Sequence, residues 1–180
     1  MKRRSIRRFR SDPLTLSQLS QLLWAAQGIT ASGGRRAAPS AGATYPLEIF
    51  AVTGEQTVAG LTAGVYHYQT DRHALDTYIE GDLRPALAEA SLGQSCIATS
   101  PVDIIVCALY FRTMYRYGRR GERYVHIEVG HVGQNIALQA VALGLGTVMV
   151  GAFDDEQVRT LLHLEEQLKP LYIIPVGKPI

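Results

Sequence analysis

Cysteine is scarce in this 180-residue sequence: only Cys96 and Cys107 occur, outside any CxxC pair. A disulfide framework is therefore not expected, a reducing cytoplasm is the default compartment, and both thiols read as small buried apolar residues. No apolar run approaches the roughly 18 residues that span a bilayer. The basic start does not lead into a signal-peptide core either, because Ser11 to Thr15 is polar and turn-like. A transit peptide is the lesser alternative there. Also missing are a GxGxxG turn between strand and helix, a P-loop, HExxH and a GxSxG elbow. Gly144 and Gly146 follow a helical stretch and precede a strand, the reverse of the dinucleotide context. His126 and His131 diverge by about 140° around a helix, so they do not converge on one metal. A metal or serine hydrolase is disfavoured.

Acid is scarce at the start. Residues 1–36 hold eight Lys/Arg and a single acid, Asp12, a local charge of +7, whereas residues 37–180 carry −5. That asymmetry fits a phosphate-bearing partner near the N-terminus better than a nucleic-acid binder that is basic over a whole face. Within Met1 to Phe9, Arg3, Ser5 and Arg7 are spaced two apart, so an extended backbone turns all three to one side. Guanidinium groups fork onto phosphate oxygens and a serine hydroxyl can donate to a third. The segment reads as a phosphate clamp, with a solvated basic arm as the alternative.

The hydrophobic and charged fractions, 47% and 19%, are those of a globular protein, and the length suits one domain over residues 1–180. Thr15 can cap a helix carrying Leu16, Leu19, Leu22, Leu23 and Ala26, which Gly28 closes. Pro39 to Pro46 is a loop of small residues that a flat ligand or another backbone can approach, or a turn before a strand. Leu47–Thr53 reads as a strand, Val65–Gln69 and Ala74–Glu80 as a hairpin, Leu83–Leu92 as a helix, and Val102–Tyr110 as a strand buried on both faces. Arg112 to Tyr124 packs five arginines and three tyrosines into thirteen residues. It could bind nucleic acid, line a substrate cavity, or be a solvated loop. Val125 to Leu143 reads as a long helix with two apolar rows, one for the core and one for a partner. The second row holds His131 and Gln134, which need a dimer contact, a ligand or a structural bond. Leu145 to Ala152 then reads as a strand and turn, Asp154 to about Leu162 as a helix, and Leu171 to Val176 as a final strand. Strands and helices do not alternate regularly, so the expected class is α+β with a mixed sheet.

Five segments in order resemble the FMN-dependent nitroreductase family: RRSIRRF from Arg3, PSAGATYPLEIF from Pro39, GVYHYQTDRHALD from Gly64, HIEVGHVGQNIALQAVALGLGTVMVGAFDD from His126, and IIPVGKP from Ile173. Within it the chain is most similar to the SagB-type branch, which includes thiazole/oxazole dehydrogenases. The resemblance implies a mainly antiparallel sheet flanked by helices in an intertwined homodimer, with FMN in pockets built from both chains. It assigns Arg3, Arg4, Ser5 and Arg7 to the FMN phosphate and ribityl chain, and Lys178 to the phosphate. Pro39, Ser40, Ala41 and Gly42 become flavin neighbours supplied by the second subunit, and Val150, Gly151 and Ala152 lie near the ring. The implied activity is ping-pong hydride transfer through flavin N5 to or from a small organic substrate, with NADH or NADPH as a candidate donor. Nucleic acid and membrane are not implied as partners.

One departure from the branch matters. Its azoline-oxidising members use a Lys-Tyr pair before the long helix, and the matching residues here are Arg116 and Tyr117. Arginine stays protonated at physiological pH and cannot act as a base. Tyr117 remains the candidate proton donor and Arg116 an anion or substrate contact. The long extra N-terminal domain typical of peptide-modifying members is not seen, so a small stand-alone reductase or dehydrogenase is expected, with a peptide azoline oxidase or a non-catalytic flavin-binding protein as alternatives.

Overall fold

The computed structural model describes residues 3–180. Helix α1 (Leu16–Gln27) opens on Thr15, whose hydroxyl accepts from the Gln18 amide while the Gln18 side chain accepts from the Thr15 amide. This reciprocal box satisfies two otherwise orphaned donors. Gly28 does follow the helix, but with φ −57° and not in the left-handed form. It is glycine because any β-carbon would overlap the Trp24 ring.

A short hairpin, β1 (Ile29–Ala31) and β2 (Arg35–Arg36), precedes one turn of 3-10 helix at Ala41–Ala43. Strands β3 (Leu47–Thr53), β4 (Gly64–Gln69) and β5 (Ala74–Glu80) follow, then helices α2 (Arg84–Ala90) and α3 (Ser95–Thr99). Strand β6 (Val102–Leu109) runs directly into α4 (Tyr110–Tyr117) and α5 (Arg120–Ala142). Strand β7 (Gly146–Thr147), helix α6 (Asp155–Leu161) and strand β8 (Leu168–Gly177) complete the chain. Six strands form one sheet in the order β5-β4-β3-β6-β8-β7, and every strand pair in it is antiparallel.

Alternation along the central strands sends side chains to two cores. Ile49, Ala51, Ile104, Val106, Ile174 and Val176 face α1 and α5, where Leu19, Leu22, Leu23, Val129, Val132 and Ile136 cover them. Phe50, Val52, Ile105, Cys107 and Ile173 face the other way, against Leu87 of α2, Ile97 of α3 and Leu162 near α6. Each fully buried Leu or Ile contributes about 1.5–3 kcal/mol. Helices thus flank both faces of the sheet, which is the α+β arrangement expected. None of the helices is long and apolar enough to cross a membrane among the described residues.

Two sequence expectations need correcting. The Arg/Tyr-rich segment is not a loop: Arg112–Tyr117 lies in α4, and α5 begins at Arg120, five residues before Val125. Gly121 permits this corner, since a β-carbon there would stand 2.9 Å from the Met114 backbone. The strand expected over Leu145–Ala152 is paired only at Gly146–Thr147, with one further bridge from Val150 to Ile173. On α5 the first row, Val125, Val129, Val132, Ile136 and Ala140, is buried. The second row stays accessible, with Ile127 46% exposed and Leu138 and Val141 half-buried.

Candidate cofactor and substrate site

The N-terminal arm runs extended along the β7 edge of the sheet. The Ile6 amide donates to the Thr147 carbonyl at 2.9 Å, and the Arg10 amide donates to the Lys178 carbonyl at 2.9 Å. Two apolar residues pin it: Ile6 packs on the second core and Phe9 is buried within it. Both need glycine beneath them. A β-carbon on Gly146 would meet Ile6 at 2.8 Å, and one on Gly177 would meet Phe9 at 2.9 Å. With Ile6 turned inward, Arg3, Arg4, Ser5 and Arg7 are all left exposed. Among the described residues none of these arginines has a carboxylate within ion-pair distance. Unpaired cations held on a docked strand are free to bind an anion.

The pairing of Ser5 with Thr147 brings the arm to the segment that continues to Val150, Gly151 and Ala152. Val150 is buried, and its amide and carbonyl are both bonded to Ile173, at 2.9 and 3.0 Å. Gly151 and Ala152 are exposed, and Gln94 holds the Ala152 carbonyl at 2.9 Å. Of the three, only Gly151 and Ala152 offer an open surface. Lys178 also lies beside the arm, where its ammonium group meets Asp12 at 3.4 Å.

Pro39, Ser40, Ala41 and Gly42 belong to a different constellation. The Pro39 carbonyl lies 3.2 Å from His131 Nδ1, and the Ser40 hydroxyl accepts from the Tyr45 amide at 3.0 Å. Gln27 Nε2 donates to the Glu128 carboxyl at 3.5 Å, and Ser40 lines the same cavity as Glu128. Gln27, fully buried, turns its carbonyl to Arg36 Nη1 at 3.0 Å, and Arg36 lies over the Tyr45 ring at 4.5 Å. Gly42 adopts φ +60°, and a β-carbon there would come within 2.5 Å of the Tyr117 hydroxyl. Arg116 Nη1 makes a long 3.4 Å bond to the Gly42 carbonyl. The loop and the Arg116–Tyr117 pair, 75 residues apart in sequence, are therefore one surface. The bonds that fix it share no residue with those that fix the arm.

A cavity of about 250 Å3 opens between this loop and α5, lined by Pro39, Ser40, Ala41, Tyr124, Ile127, Glu128 and His131. Glu128 is 2% exposed, and burial pushes its carboxyl above its ordinary value against the opposing influence of Ser40 and Gln27. Sequence reasoning missed Glu128, Gln27 and Arg36. A signal existed for the first: Glu128 falls three residues after Val125 and four before Val132, on the apolar stripe itself. His131 does have a structural bond, while Gln134 is exposed.

The Nitroreductase family profile matches residues 1–178. The chain belongs to the nitroreductase family. A nitroreductase-family protein of Methanocaldococcus jannaschii, MJ1384, is 48% identical over 180 residues, covering 100% of this chain and 89% of that one. The microcin B17-processing protein McbC of Escherichia coli is 28% identical over 143 residues, 77% of this chain and 53% of McbC, so the chain spans about half the length of that relative. Among solved structures, a chain of the E. coli microcin synthetase McbBCD complex with truncated pro-MccB17 bound superposes with a TM-score of 0.88 at 25% identity, covering 100% of this nitroreductase-family chain and 70% of that one. The NADPH:FMN oxidoreductase of Vibrio harveyi complexed with NAD+ shares the fold, with a TM-score of 0.68 at 22% identity over 98% of this chain and 65% of that one.

Proposed function

We propose that this nitroreductase-family chain is an FMN-dependent oxidoreductase, working as a homodimer on a small organic substrate, with NADH or NADPH as the candidate donor. The observation that carries the reading is the arm: Arg3, Arg4 and Arg7 stand exposed and unpaired around Ser5, on a strand pinned by Ile6 and Phe9. That donor set fits a phosphate monoester, with Lys178 adjacent. Bound FMN supplies the two-electron hydride chemistry, so the chain needs no nucleophile or carboxylate dyad.

The chain's own residues bind and orient. Gly151 and Ala152 offer an approach with almost no side chain, beside the phosphate-binding arm. Pro39 to Gly42 give a second small-residue wall, fixed to α4 and α5, and the separate bonding of the two groups favours their meeting across two copies of the chain. The accessible row Ile127, Leu138 and Val141 on α5 supplies an apolar surface for that contact. Tyr117, with its hydroxyl held against Gly42, is the proton donor to the substrate.

Purified protein is expected to be yellow, to bleach with NADH or NADPH, and to recover colour with a quinone or nitroaromatic acceptor. Colourless protein that takes up no FMN contradicts the reading. Tyr117→Phe is expected to slow acceptor reduction on the order of a hundredfold with flavin content unchanged, the low end for a lost general acid. An unaltered rate would remove Tyr117 from that role. The resemblance to the SagB-type branch favours a second reading, azoline oxidation. With Arg116 in place of a lysine base, the prediction is that thiazoline peptides leave the flavin oxidised.

A further inference from the structure

The corner between α4 and α5 extends the proposed proton donor, Tyr117, into a stack of two tyrosines and two arginines. The Arg116 guanidinium lies over the Tyr117 ring at 5.6 Å, Tyr117 meets Tyr124 edge-on at 5.1 Å between centroids, and Arg120 lies over Tyr124 at 5.9 Å. The order Arg–Tyr–Tyr–Arg spans two helices. Tyr117 touches the Gly42 loop at one end, and Tyr124 lines the 250 Å3 cavity at the other. Each guanidinium is thereby held next to a residue at the edge of the cavity lining: Arg116 on the Gly42 carbonyl, beside Ala41, and Arg120 over the Tyr124 ring.

The surrounding charge has one sign. Arg116, Arg119, Arg120 and Arg123 are all exposed, and among the described residues none is within ion-pair distance of a carboxylate. Glu122 is the acid within this corner, and Glu128 is the acid inside the cavity, where burial favours its neutral form. A surface of unpaired arginines beside a cavity concentrates anions. Tyr124, half-buried, turns part of its ring to the cavity.

We propose that the Arg116–Tyr117–Tyr124–Arg120 stack selects the acceptor substrate, and that this acceptor is a planar small molecule bearing a carboxylate or similar anionic group. This rests on the reading of the chain as a flavin oxidoreductase. Arg116 and Arg120 bind the anion, while Tyr124 packs on the substrate's plane.

The test compares 4-nitrobenzoate with uncharged 4-nitrotoluene as acceptors for the flavin-loaded protein, and measures equilibrium binding of 4-nitrobenzoate to the same protein without a donor. The expected result is a preference for the anion in kcat/KM that shrinks as salt is raised. In Arg116→Gln/Arg120→Gln the ratio of the two efficiencies falls about tenfold, the scale of one charge-assisted contact, and 4-nitrobenzoate binding weakens in parallel. Arg116→Lys/Arg120→Lys restores part of both. A ratio indifferent to salt and to the double substitution overturns the proposal even if the enzyme is active. Arginine-dependent 4-nitrobenzoate binding in a protein that turns over neither acceptor supports the anion site and instead counts against the oxidoreductase reading.

Discussion

Gly146 and Ile6 are in such close register that a β-carbon on the glycine would stand 2.8 Å from the Ile6 side chain. The contact joins the start of the chain to the strand that leads into Gly151 and Ala152, so the cation-bearing arm depends on the smallest residue at one position. Gly146→Ala is expected to push the arm off the β7 edge and to cost about 1–3 kcal/mol, the usual range for overpacking. A urea titration measures the stability, and retained flavin measures the arm. Full stability with full flavin content would show that the arm tolerates displacement.

Gly42 makes the corresponding test on the loop. At φ +60°, a side chain there pays a left-handed strain of about 1–2 kcal/mol, and its β-carbon would also displace the Tyr117 hydroxyl. Gly42→Ala should therefore lower the urea midpoint and slow acceptor reduction together. Lowered stability with unchanged turnover would separate Tyr117 from the chemistry.

Strands β3 and β5 match their sequence boundaries because short runs rich in β-branched and aromatic residues, bounded by turn residues, have few competing readings. Strand β6 was legible as buried on both faces from its unbroken apolar run. Helix α4 was not, because Arg112, Tyr115 and Arg116 carry charge and aromatic surface that dominate its single buried residue, Thr113. Gly121 is small in order to pack α5 against Met114, a contact that composition alone does not show. At the site, the arm was visible from its i, i+2 spacing. The meeting of Gly42 with Arg116 and Tyr117 was not, since no local pattern encodes a contact between residues so distant in the chain.

Asp103 gives a prediction about pH. It is wholly buried, accepts from the Ser100 hydroxyl at 2.8 Å through Oδ1, and among the described residues has no partner for Oδ2. Burial raises its carboxyl well above the ordinary value of 3.8, against the Ser100 bond and the nearby Arg84 charge. The folded state therefore holds this proton more tightly than the unfolded chain. The stabilising contribution of the group is complete below 3.8 and declines as pH rises towards the folded value, by at most about 1.4 kcal/mol per pH unit. Asp103→Asn keeps a neutral group there, so its stability relative to wild type should improve as pH rises from 3.8 towards the folded-state value. Parallel urea midpoints over that range would contradict a neutral Asp103.

The central claim is that the exposed guanidinium groups of the arm hold the cofactor's phosphate. The most direct measurement is FMN affinity in Arg3→Ala/Arg7→Ala, with circular dichroism and size-exclusion chromatography to confirm that the protein stays folded and keeps its wild-type oligomeric state. Loss of two charge-assisted contacts predicts FMN binding weakened by on the order of a hundredfold or more, with fold and assembly intact. Wild-type affinity for FMN in that variant would contradict it.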